Sequence, residues 1–182
     1  ELQARLYSSL RSQRYIRLLE ERAQIDLVTN LWNTQHFMMR LEVELSSVLR
    51  YQRPCSLLKL SLDNLPEIRA LLTPQQCHRI LMKVGAIIRT TVRHCDVPCR
   101  YQDNDFVIIL PETGQQQILP FIQRLLQQLV PLLNALLLQE LHIEKQLEAH
   151  LGAVVLVHNV KALTTSVVME AIDLSLSKSR QA

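Results

Sequence analysis

The sequence predicts an α+β fold with helices packed on a mostly antiparallel sheet, and three observations lead there. The apolar periodicities alternate irregularly, in the order helix, strand, helix, hairpin, helix, strand, helix, which is not the steady βα repeat of a parallel sheet. Residues 100–113, RYQDNDFVIILPET, have the rhythm of a β-hairpin, and only antiparallel strands can be joined that tightly. Finally, 182 residues with 48% hydrophobic and 20% charged content are enough for one globular core plus an accessory element.

Residues 1–25 contain neither Gly nor Pro. Leu2, Leu6, Leu10, Ile16, Leu19 and Ala23 can share a stripe, although Ser9, Gln13 and Glu20 interrupt a strict heptad. A connecting helix is expected, paired with its copy in a homodimer or packed on its own domain, with residues 26–182 forming the domain proper. Phe37, Leu41, Leu45 and Val48 or Leu49 recur at helical spacing and predict a helix over about 34–53, stopped by Pro54. Residues 55–63, CSLLKLSLD, read as a buried strand with Leu58, Leu60 and Leu62 on one face and Leu57 on the other.

Residues 74–94 predict a long helix whose core face is Ile80, Leu81, Val84, Ile87, Ile88 and Val92. The hairpin strands are expected at 99–102 and 105–110. A hairpin tip commonly needs positive φ, which glycine supplies, yet this one reads Gln102, Asp103, Asn104, Asp105. Asp and Asn tolerate left-handed backbone, so the turn is expected to persist on them. Residues 114–146 predict a Leu- and Gln-rich helical region interrupted at Pro120 and Pro131, residues from His150 a strand, and 166–180 a closing helix.

Composition excludes several roles. A net charge of +3 with 4% aromatic residues offers neither a basic groove nor a stacking platform, so nucleic acid is not an expected partner. Cys55, Cys77, Cys95 and Cys99 form no paired CxxC sets, which points to a reducing, cytoplasmic compartment. With His78 and His94 they match no zinc spacing, and ordinary burial is expected. The stretch Leu125–Gln139 carries Gln127, Gln128, Pro131 and Asn134 and is expected to be too short and polar for a bilayer. The chain opens without a signal peptide and is expected to be a soluble piece of a longer protein.

Several blocks in one ungapped register carry a family resemblance. Residues 26–37, DLVTNLWNTQHF, resemble DxLTGLxNRRxF; residues 61–65, SLDNL, fall at DxDxF; and RYQDNDFVIILPET falls at RYGGDEFVILLPET. The chain is therefore similar to the GGDEF family, the bacterial diguanylate cyclases that join two GTP molecules into cyclic di-GMP. The closing AIDLSLSK matches that family's final helix more loosely. The resemblance implies a nucleotidyl-cyclase-like βαββαβ sheet flanked by helices, and a cytoplasmic signalling protein.

The resemblance also implies what is missing. The family's magnesium-binding Asp of DxDxF is Ser61, and the acid at the third signature position is Asn104; a hydroxyl and an amide replace two anionic ligands. The guanine-reading Asn and Asp fall at Arg69 and His78, and an arginine can only donate toward the guanine N1 and N2 donors. Asp63 survives, the phosphate-contacting Lys is Pro66, and Gln102 and Asp103 stand where glycines admit substrate. Asp103 and Asp105 are expected to be solvated acids rather than a metal site. The expectation is a non-catalytic domain without metal or other cofactor; an enzyme acting on some other nucleotide is the minor alternative.

A second family motif is matched. RHCD, residues 93–96, falls at the RxxD product-binding site, and Arg124 falls where the family supplies a further arginine. Arginine forks suit guanine O6 and N7, and a carboxylate suits N1 and N2, so Arg93, Asp96 and Arg124 are candidate ligands of cyclic di-GMP. The competing expectation is structural: Arg93 at a helix end, Asp96 accepting turn hydrogen bonds and Arg124 solvated. A different role, a nucleotide-independent dimerisation or docking scaffold relaying a signal from an upstream sensor, is suggested by residues 123–147. These hold more leucines than one buried stripe needs, either for a protein partner or to cover the sheet.

Overall fold

The computed structural model describes residues 24–140, 142–158 and 163–181. The expected helix over 1–25 lies outside the described residues except for its last two. Asn33 accepts from the His36 N–H at 2.9 Å and starts α1, Thr34–Tyr51, whose Phe37, Leu41, Leu45 and Val48 are buried at the expected spacing. Gln52 ends the helix in the left-handed region at φ 57°, two residues before Pro54. β1, Cys55–Leu62, is buried at every position because it is paired on both edges and covered on both faces.

A short helix, α2, Leu65–Arg69, precedes α3, Pro74–Thr91, which a capping box between Thr73 and Gln76 begins. β2 is Val97–Arg100, shifted two residues back from the expected strand, and β3 is Asp105–Pro111. The outer edge of β2 is engaged by Trp32, whose N–H donates to the Pro98 carbonyl and whose carbonyl accepts from Arg100 N–H. With β4, Ala149–Leu156, the sheet order is β2-β3-β1-β4, antiparallel throughout. α5, Thr165–Ser179, closes the described chain. The fold is α+β, with two cores. Leu58, Leu60, Leu62, Phe106 and Ile108 lie beneath α3 and the long helix that follows β3, while Leu57, Val107 and Ile109 lie against α1 and α5.

Two expectations require correction. Residues 114–146 are not broken at the prolines: α4 runs unbroken from Gln115 to Ala135 and a π-turn continues it over Leu136–Glu140, after which the chain from His142 to Glu148 is non-helical. Pro120 and Pro131 lie on the exposed side of the helix, so the carbonyls they leave unbonded, at Gln116 and Gln127, can be solvated. The helix over Gln115–Gln139 is also long and apolar enough to meet the length requirement of a membrane span, though Ile118, Phe121, Leu125, Leu129 and Leu133 bury its apolar face against the sheet. Of the two expectations for the leucines of 123–147, covering the sheet accounts for most of them: Leu125, Leu129, Leu133, Leu136, Leu137 and Leu147 are buried, whereas Leu132 and Leu138 are exposed.

One glycine fixes how close α5 lies. A Cβ on Gly152 would meet Leu176 N at 2.6 Å and Ile172 O at 2.7 Å, so only a residue without a side chain lets the helix backbone touch β4 here.

Candidate functional site

The signature tip closes without any left-handed residue. The positive-φ positions among the described residues are Asn30, Gln52, Glu112 and His142, so the expected reliance of Asp103 and Asn104 on that region is not what forms the turn. Gln102 and Asp105 exchange backbone hydrogen bonds at 3.2 and 3.3 Å, and the Asp103 carbonyl accepts from Arg69 and Arg100 at 3.2 and 3.3 Å. Arg100 also pairs with Asp26 at 3.2 Å, and Asp26 in turn accepts from Thr29 N–H and Oγ1. These residues brace the scaffold.

Behind the tip the register assembles a polar row. Ser61 on β1 stands opposite Asp105 on β3 and His150 on β4, one rung above Lys59. Ser61 Oγ donates to Asp105 Oδ1 at 2.8 Å, and Lys59 Nζ reaches Asp105 Oδ2 at 3.1 Å and Asp173 Oδ1 at 2.7 Å. Arg180, just past α5, grips Asp63 with Nε at 2.7 Å and Nη2 at 2.5 Å, and Nη2 also donates to Ser61 Oγ at 3.1 Å. His150 Nδ1 lies 2.9 Å from Asp63 Oδ2 but off the axis of a hydrogen bond, so we read it as an ion-pair contact conditional on imidazole protonation.

Burial pushes the Asp63 carboxyl up, but hydrogen bonds from Arg180 and Ser61 and the charges of Arg180 and His150 outweigh it and hold the group below its ordinary value. Burial would likewise lower Lys59, yet Asp173 and Asp105 raise it overall. Asp105 is therefore not the solvated acid expected: its side chain is 16% exposed and ion-paired.

A hard divalent cation does not fit this donor set. Ser61 and Asn104 bring no charge, Asp63 and Asp105 are already paired with side-chain cations, and no three His, Cys, Asp or Glu side chains cluster suitably among the described residues. The base-reading positions fare similarly: His78 is exposed, and Arg69 Nε and Asn104 Oδ1 are shielded without a hydrogen-bond partner. The sequence reading missed Lys59, His150, Asp173 and Arg180; only the cross-strand register and the packing of α5 bring them here.

The RHCD turn lies at the other end of β2. Asp96 is 6% exposed; its Oδ2 accepts from the Arg93 N–H at 2.7 Å, and the thiol of Cys95 lies 3.8 Å from Oδ1. Arg124 donates to the Thr91 carbonyl at 3.1 Å and its guanidinium sits 5.5 Å from the Phe121 ring centre. Burial pushes the Asp96 carboxyl up, opposed by the Arg93 N–H and by the charges of Arg93 and Arg124, so all three residues form one electrostatic group. The expected turn hydrogen bond is present as well. Of the cysteines, Cys55 and Cys99 are buried, with burial pushing the Cys55 thiol up to about 12, but Cys95 is exposed and Cys77 partly so, contrary to uniform burial.

The family described as "Diguanylate cyclase, GGDEF domain" matches residues 23–182. Response regulator PleD of Caulobacter vibrioides is 26% identical over 132 residues, 69% of this chain but 29% of PleD, so the chain spans less than a third of that relative. Among solved structures, the GGDEF domain of FimX from Pseudomonas aeruginosa superposes with TM-score 0.75 at 18% identity, covering 88% of this chain and 96% of that one. The coiled coil and GGDEF domain of DgcB from Caulobacter crescentus, in complex with c-di-GMP, gives TM-score 0.74 at 17% identity, covering 99% and 94%.

Proposed function

Because the chain belongs to the diguanylate cyclase GGDEF domain family, we propose that it is a member without cyclase activity that serves as a receptor for cyclic di-GMP, through Arg93, Asp96 and Arg124. The observation that carries the first half is the state of the remaining cleft carboxylates: Asp63 is gripped by Arg180 and Asp105 by Lys59, leaving no anionic pair for a metal. Phosphoryl transfer to nucleotide depends on a cation that neutralises developing charge, and this end of the sheet supplies arginine and lysine in fixed internal pairs instead.

The receptor half is supported by the grouping at RHCD. Asp96 Oδ1 receives only a weak thiol contact, which leaves an acceptor for guanine N1 and N2 donors, while the exposed Arg93 can fork onto O6 and N7. Arg124, held by Thr91, is placed to neutralise phosphate or stack on a base. A purely docking role has less support, since most leucines of residues 123–147 are used in the core.

Calorimetric titration of cyclic di-GMP into the full chain tests the receptor. Micromolar or tighter binding that disappears in Arg93→Ala is expected; no heat from the unaltered protein at high concentration ends this reading. Incubating GTP with magnesium or manganese should give no cyclic di-GMP, and measurable turnover would reverse the assignment.

A further inference from the structure

The cleft contains more than lost ligands. Along β1, residues two apart point to one face, so Lys59 and Ser61 both face α5, and Asp63 follows them in the turn. On α5 and its C-cap, Asp173 and Arg180 are seven residues apart, hence on one side of the helix two turns from each other. The close approach of α5 at Gly152 brings the two rows together.

We propose that Lys59 and Arg180 act as resident counterions of this cleft, taking the electrostatic place of a divalent cation and fastening α5 to the sheet. The inference deepens the inactive-site part of the proposed function and rests on it. Arg180 binds Asp63 through two nitrogens and donates to Ser61 Oγ, so its positive charge already lies against the side chain that stands at the family's metal-ligand position. Lys59 is 6% exposed and spans Asp105 and Asp173. A buried ammonium is retained only with such partners, and removing one partner leaves an uncompensated charge. A metal entering the cleft must therefore displace these cations as well as find ligands.

A specific consequence follows: an acid restored at position 61 would be taken by Arg180, already 3.1 Å from the side-chain oxygen there, before it served a metal. Manganese chloride is titrated calorimetrically, without nucleotide, into the full chain as it stands, Ser61→Asp, Ser61→Asp with Arg180→Gln, and Ser61→Asp with Lys59→Met, each checked for folding by circular dichroism. The unaltered chain should give no measurable binding, and each double variant should bind at least about tenfold tighter than Ser61→Asp alone. Should one double variant fail to fold, the other carries the comparison. Equal affinity of the single and double variants overturns the inference. So does manganese binding by the unaltered chain without turnover of GTP, an outcome that leaves the proposed function standing; turnover of GTP by the unaltered chain overturns the proposed function instead.

Discussion

Asp63 illustrates how one side chain is held by what packs over it. Its folded carboxyl is held below the ordinary 3.8 by Arg180, Ser61 and His150 despite burial. A depressed carboxyl contributes stability that is fully present above the unfolded value and is lost as pH falls through the lower folded one. Asp63→Asn should therefore be less stable than the unaltered protein at pH 7, with the gap narrowing as urea melts are repeated below about pH 4; a gap independent of pH would show that the pair adds nothing. Gly152 makes a steric counterpart. Gly152→Ala places a methyl within 2.6–2.7 Å of α5 backbone that cannot rotate away. A loss of about 1–3 kcal/mol in denaturant unfolding is expected.

At the scale of elements, the hairpin tip and the end of α1 respond oppositely to the same substitution. Gln52 sits at φ 57°, where a side chain is strained, whereas Gln102 to Asp105 avoid that region. Gln52→Gly should raise stability and Gln102→Gly lower it, each by on the order of 0.5–1 kcal/mol, as chemical denaturation can measure. The elements themselves were legible because each repeats its apolar residues at its own period: the faces of α1, α3 and β1 are those the spacing predicts. The continuity of α4 was not legible. Proline reads as a breaker in sequence, and only the placement of Pro120 and Pro131 on the solvated side makes the lost hydrogen bonds tolerable.

Across the whole molecule, the ordered blocks announced the family and the candidate residues at 61, 63, 69, 78, 102–105, 93, 96 and 124, but not the pairing that neutralises the cleft. Ser61 meets Asp105 across 44 residues and Arg180 across 119, a juxtaposition set by strand register and helix docking that no local pattern encodes. The same architecture separates two sites. Asp96 precedes β2 and Gln102 follows it, so four strand residues, roughly 13 Å at about 3.3 Å each, lie between the RHCD turn and the cleft. Substitutions that far apart with no shared partner should add in free energy to within about 0.5 kcal/mol. Cyclic di-GMP at a hundredfold excess over its Kd should stabilise the fold by about 2.7 kcal/mol, or a rise in Tm of roughly 5–11 °C for a chain of this size. That rise should vanish in Arg93→Ala and persist undiminished in Arg180→Gln, even though the second variant starts from a lower Tm. Loss of the rise in Arg180→Gln would mean that the two ends of the sheet are coupled, and that the counterions of the cleft help to form the ligand site.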